Sequence, residues 1–244
     1  MEIDFIPYTY EFSEFEKKEI LYYLDKNLLT FLNENNLNKK IEFIGSIQYL
    51  DLVKEINDFF NKNKDFIVSS TKFAFAKENS QILGCSYQTK LKEDVTYIVV
   101  GDGIFHPGAL IYNNQVKKEI VLFDIFKKEF NVVDFLKEYN KYLIMIDKMK
   151  TLFSKSRNIG IFVSTKPGQS YIENAKTLKK RLENIGKNVY LFISNNIDSN
   201  EFMNFNYIDF IINTACPRIF TDDFERYEKI INYFEFVNEI LKDY

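Results

Sequence analysis

Four apolar runs, at residues 95–100, 159–164, 189–193 and 208–213, limit what this chain can fold into. None alternates strictly between apolar and polar residues, as a strand with one wet face would. The runs at 159–164 and 208–213 read as strands buried in a parallel sheet with helices on either side, and the other two read as strands. Amphipathic stretches lie between them. Residues 12–36 place Phe15, Leu21, Leu24, Leu28 and Leu32 at helical spacing among charged residues, and residues 50–60 read as another helix. Strands expected at 40–47 and 65–68 flank that second helix, and a parallel pair so joined needs a right-handed crossover. The fold class is α/β.

The pattern runs once and then restarts. A short strand is expected at residues 3–6. After the strand at 95–100, residues 109–112 and 119–123 read as two strands joined by Asn113-Asn114-Gln115, a hairpin. Residues 132–155 read as one long helix with Val133, Leu136, Tyr139, Leu143, Ile146, Met149 and Leu152 on its apolar positions. From Asn158 the order is strand, loop, helix over 171–185 closed by Gly186 as its C′ residue, strand, a helical stretch near 199–204, then the strand at 208–213. The expected architecture is two similar small parallel-sheet α/β domains joined by a long helix, over residues 1–130 and 131–244.

Composition matters here because some residue types are scarce. Among 244 residues there are 8 Gly, 4 Pro, 2 Cys, 1 His and no Trp, and they collect in loops after strands. Pro107, Pro167 and Pro217 each follow an expected strand, as do Gly101, Gly103, Gly108 and Gly168; Gly84 and Cys85 share another loop. In open α/β sheets, loops at the carboxyl ends of strands form the ligand site. Gly101-Asp102-Gly103 does not complete a dinucleotide fingerprint, and no helix is expected directly after it. His106 reads equally as a metal ligand or proton carrier and as a satisfied histidine at a domain contact. The net charge of −3 favours no nucleic-acid partner, and no uncharged run is long enough to span a bilayer. A cytoplasmic protein is expected.

The most pointed loop is Thr214-Ala215-Cys216-Pro217-Arg218, followed by Thr221-Asp222-Asp223. It sets a thiol and a guanidinium past a buried strand, while Pro217 breaks the ladder and Thr221 or an aspartate can cap a helix near Phe224. A buried cysteine acting as a small hydrophobe is the plain alternative. The flanking charges favour a functional site. Cys85 and Cys216 are too far apart in sequence for a CxxC motif, so metal binding, reactivity and packing all stay open.

Taken together, Gln81-Ile82-Leu83-Gly84-Cys85-Ser86, Gly101-Asp102-Gly103-Ile104-Phe105-His106-Pro107, Ser164-Thr165-Lys166-Pro167-Gly168-Gln169 and Thr214-Ala215-Cys216-Pro217-Arg218 with Asp222-Asp223 resemble the archaeal diphthamide-synthesis enzymes. These are the 2-(3-amino-3-carboxypropyl)histidine synthases. The resemblance runs from about residue 41 to residue 236, and Gln48 fits it as well.

The resemblance implies three α/β domains per subunit, each donating one cysteine to a 4Fe–4S cluster, in a dimer. It implies S-adenosylmethionine as cosubstrate, with its aminocarboxypropyl group passed to a histidine of elongation factor 2. By position, Cys85 and Cys216 would be cluster ligands. Gln169 and Arg218 would hold the methionyl end of the cosubstrate, and Asp222 or Asp223 would order the arginine. This chain starts where the family's second domain starts and offers no third cysteine. The expectation is therefore a split aminocarboxypropyl transferase completed by a separate polypeptide carrying the first domain, in a dimer or heteromeric complex. The alternative is a non-catalytic scaffold or electron-transfer accessory of the same pathway.

Overall fold

The computed structural model describes residues 8–84, 89–103, 105–112, 119–166, 170–195, 204–217, 219–220 and 228–244. The chain divides into two compact units, Met1–Asn140 and Lys141–Tyr244.

Unit 1 opens with α1 (Glu14–Glu34). Ser13 caps it: its hydroxyl accepts the Glu16 N–H, and the Glu16 carboxylate accepts the Ser13 N–H at 2.7 Å, a reciprocal capping box. The buried stripe of α1 is Ile20, Leu24, Leu28 and Leu32, one residue per turn. Phe15, which the spacing placed on that face, is exposed. The stripe packs with β1 (Lys40–Gly45), α2 (Leu50–Asn61) and β3 (Thr96–Gly101), through Phe43, Val53, Ile56, Ile98 and Val100. The short β2 (Ile67–Val68) completes the first crossover. With β4 (Ile120–Asp124) and β5 (Glu129–Val133) the sheet order is β2-β1-β3-β4-β5, parallel except for β5.

Two local expectations are corrected. Residues 109–112 are not a strand: they belong to a helix, α3 (Phe105–Tyr112), that starts four residues after β3. A short apolar run fits either state. Pro107 sits in the first turn, where its missing N–H leaves no helix bond unmade, and Leu110 and Ile111 are buried against Ile44, Tyr97 and Val99. The hairpin is instead β4–β5, with Ile120 opposite Val133 and Asp124 opposite Glu129. Val133 therefore ends a strand, and α4 (Phe135–Lys155) begins two residues later.

Unit 2 comprises β6 (Asn158–Ser164), α5 (Ile172–Asn184), β7 (Asn188–Ser194), β8 (Phe210–Asn213) and β9 (Ile230–Asn232). All four strands are parallel, in the order β7-β6-β8-β9. A helical segment over Tyr233–Glu235 and Phe236–Ile240 follows. Phe153, Phe210 and Phe236 are fully buried, with ring centroids 4.9 to 5.9 Å apart. Gly186 ends α5 at φ 82°, with the Gly186 N–H on Glu183 O and the Lys187 N–H on Leu182 O. This is a Schellman motif, open to glycine at no steric cost.

The two units repeat one plan. In each, the second strand lies on one side of the first, and the third and fourth lie on the other. The strand order reverses between β1 and β3 in unit 1 and between β6 and β8 in unit 2, and such a reversal opens a crevice at the carboxyl ends of the strands. No helix among the described residues is long and apolar enough to cross a membrane. Leu28 lies wholly inside the unit 1 core, so Leu28→Ala is expected to cost about 3 kcal/mol. In guanidinium unfolding the midpoint should fall while the slope with denaturant stays unchanged.

Candidate functional site

Beside the reversal point of unit 2, β8 and β9 both finish in Ile-Ile-Asn, in register, so Asn213 and Asn232 are paired at the tips of neighbouring strands. Both are almost fully buried. Asn213 Nδ2 donates to Asn232 Oδ1 at 2.9 Å and to the carbonyl of Cys216 at 2.8 Å, and its Oδ1 accepts the Ala215 N–H at 2.9 Å. Asn232 Nδ2 donates to the carbonyl of Pro217 at 2.9 Å and to Glu235 Oε1 at 3.1 Å. Upstream, the N–H and hydroxyl of Thr214 both bond the Phe162 carbonyl on β6. The loop bearing Cys216 is thus tied to β6, β8 and β9. Its thiol is half-buried.

Unit 1 holds a comparable clamp around a carboxylate. Glu42, in the middle of β1, has no exposed surface. Its Oε1 accepts the Thr71 N–H at 2.7 Å and the Ser80 hydroxyl at 2.8 Å; its Oε2 accepts the Thr71 hydroxyl at 2.6 Å. Since the Thr71 proton goes to Glu42, the Tyr97 phenol donates to Thr71 Oγ1 at 3.3 Å, and it accepts the Lys92 N–H at 3.1 Å. Burial pushes the Tyr97 phenol above its ordinary pKa, keeping that donor in place. Ser80 sits at φ 58°, a left-handed conformation that costs a non-glycine residue about 1 kcal/mol or more. Past it the chain docks on the tip of β1, where the Gly45 N–H meets Ser80 O at 3.0 Å and the Ile82 N–H meets Gly45 O at 2.8 Å. The segment leading to Cys85 therefore departs from the carboxyl end of β1.

Of the residues marked in the sequence, Cys216 is placed by this geometry. Cys85, Gln169, Arg218 and Asp222 lie outside the described residues. The strands that precede Gln169 and Arg218 in sequence, β6 and β8, are direct neighbours, with Phe162 opposite Asn213. Gln48 is exposed in the middle of a short 3-10 turn after β1. His106 lies in the first turn of α3, half-buried. Sequence reasoning missed Glu42, Asn213 and Asn232. The repeated Ile-Ile-Asn was the one available signal for the last two.

The chain matches the family model described as a diphthamide synthesis protein over residues 2–239. The chain belongs to the diphthamide synthesis family. A 2-(3-amino-3-carboxypropyl)histidine synthase from Methanocaldococcus jannaschii is 29% identical over 230 residues, covering 93% of this chain and 58% of the relative. The synthase of the same name from Pyrococcus horikoshii is 25% identical over 193 residues, covering 79% of this chain and 54% of the relative. The chain thus spans a little over half the length of these relatives. The crystal structure of Dph2 from Pyrococcus horikoshii with a 4Fe–4S cluster superposes with a TM-score of 0.73 at 24% identity, covering 88% of this chain and 61% of that one. That likeness carries the fold.

Among the described residues no group of three or more His, Cys, Asp or Glu side chains gathers to hold a metal ion. Cys216 nevertheless has the donor an iron–sulfur cluster uses, a thiol on hydrogen-bonded backbone. The Glu42 clamp gives two expectations. Glu42→Ala strands three donors and should cost on the order of 3 kcal/mol, with hydrogen-exchange protection lost first at the amide of Thr71. In Tyr97→Phe the alkaline behaviour changes. The raised phenol pKa contributes stability that is complete below about pH 10 and is lost as pH climbs through the raised value. A pH series of denaturant midpoints should show a shallower alkaline fall in the variant.

Proposed function

We propose that this chain is part of a 4Fe–4S, S-adenosylmethionine-dependent transferase that moves a 3-amino-3-carboxypropyl group to a histidine of elongation factor 2. The observation that carries this reading is family membership across residues 2–239 together with Cys216 on a clamped loop at the reversal point of unit 2. The named relatives act as 2-(3-amino-3-carboxypropyl)histidine synthases. The cluster supplies an electron to the sulfonium when bound.

The chain's own residues bind and orient. Cys216 and Cys85 are the thiolate donors. Gln169 and Arg218, which follow β6 and β8 in sequence, hold the methionyl end of the cosubstrate; a guanidinium suits its carboxylate bidentately. Asp222 orders Arg218. The sequence contains two cysteines, so a cluster with a third thiolate takes it from outside these 244 residues. A separate polypeptide carrying that cysteine is the partner we propose, in a dimeric or heteromeric cytoplasmic assembly.

The test is transfer of a labelled aminocarboxypropyl group from S-adenosylmethionine to elongation factor 2 under anaerobic reduction, with and without the candidate partner. Label on the histidine, lost in Cys216→Ser and reduced at least 10-fold in Arg218→Lys at fixed cosubstrate, is expected. An assembly that holds iron yet never transfers label would contradict the transferase and favour an electron-transfer accessory.

A further inference from the structure

We propose that Asn232 and Asn213 are positioning residues for Cys216. Their side-chain amides fix the backbone of the Cys216 loop, so that the thiol leaves it in one direction. The proposal rests on Cys216 being a cluster ligand.

The hydrogen-bond inventory argues for it. Each primary amide has two N–H donors and one oxygen. The two N–H groups of Asn213 go to Asn232 and the Cys216 carbonyl, and its oxygen takes the Ala215 N–H. The two N–H groups of Asn232 go to the Pro217 carbonyl and Glu235, and its oxygen takes Asn213. Every donor is used, and three of the five bonds run to residues 215–217. The loop carbonyls are saturated from the other side too. Cys216 O also accepts the Ile219 N–H at 3.2 Å, and Pro217 O the Phe220 N–H at 3.2 Å. Neither peptide can turn without breaking two bonds.

The residue type is also costly for its place. Burying primary amides at the tips of two strands that otherwise read Ile-Ile carries a desolvation penalty that an apolar side chain would avoid. The penalty is offset only because the bonds are complete, and their destination is the cysteine loop. Groups in this relation to a metal ligand orient it, and their loss commonly weakens metal binding by about 10-fold or more.

The test compares Asn232→Ala with Asp209→Ala. Asp209 Oδ2 accepts the N–H groups of Arg157 and Asn158 at 3.0 and 2.8 Å, at the opposite edge of the same sheet. Asp209→Ala therefore removes two side-chain hydrogen bonds from unit 2 without touching the loop. In the full chain, iodoacetamide labelling of Cys216, read by peptide mass spectrometry, should be severalfold faster in Asn232→Ala and unchanged in Asp209→Ala. In the iron-loaded assembly, the cluster lifetime against a chelator should shorten about 10-fold in the first variant only, with an altered electron paramagnetic resonance spectrum. If Asn232→Ala does not fold, Asn232→Ser carries the same expectation at smaller size. Equal effects from the two sites, or none from Asn232, would overturn the proposal. If the wild-type assembly holds no iron, it is the cluster reading that fails, and labelling still decides whether the amides position the thiol.

Discussion

A parallel sheet delivers the carboxyl ends of all its strands, and so all its strand-to-helix loops, to one edge. The rest of this structure depends on that constraint. Because β1, β3 and β4 run together in unit 1, and β6 to β9 in unit 2, the segments that follow these strands leave from the carboxyl edges of their sheets. The reversal of strand order then selects, from that edge, the two loops that diverge to leave a crevice. In unit 2 these are the loops after β6 and β8, and Cys216 is on the second.

A crevice does not by itself fix a side chain. Here that is the work of buried polar groups: Glu42 with Thr71 and Ser80 in unit 1, and Asn213 with Asn232 in unit 2. Either would destabilise the fold if its bonds were incomplete. Both are instead satisfied from segments distant in sequence, the mark of a network that specifies one loop conformation. Apolar packing around Phe153, Phe210 and Phe236 gives unit 2 its cohesion, while the asparagine pair gives its carboxyl edge a defined shape.

Much of this was legible in the sequence, and the boundary has physical causes. Long apolar runs betrayed β3, β6 and β8 because doubly covered strands cannot hide their hydrophobicity. Gly186 marked the end of α5 because few other residues take its backbone conformation. Residues 109–112 were misread because four apolar residues have no period, and Pro107 looks like a breaker until it is seen in a first turn. The last two residues of β5 were absorbed into α4, and the rest went unread, because its alternation lasts only five residues. The Glu42 clamp could not be read at all: Thr71 is 29 residues away, and nothing local in either residue announces the other. Around the cysteine the strand-end position was evident, whereas its bracing from β9 needed the register of Asn213 with Asn232.

The central proposal is that Cys216 and Cys85 are thiolate donors to an iron–sulfur cluster. Iron and acid-labile sulfide per assembly, measured anaerobically in the wild type and in Cys85→Ser and Cys216→Ser, test it most directly. The account predicts one cluster per site in the wild type and a loss of iron of similar size in each variant, because removing either thiolate opens the same site. Full iron retention in Cys216→Ser would contradict it and leave the clamped loop as a feature of the fold alone.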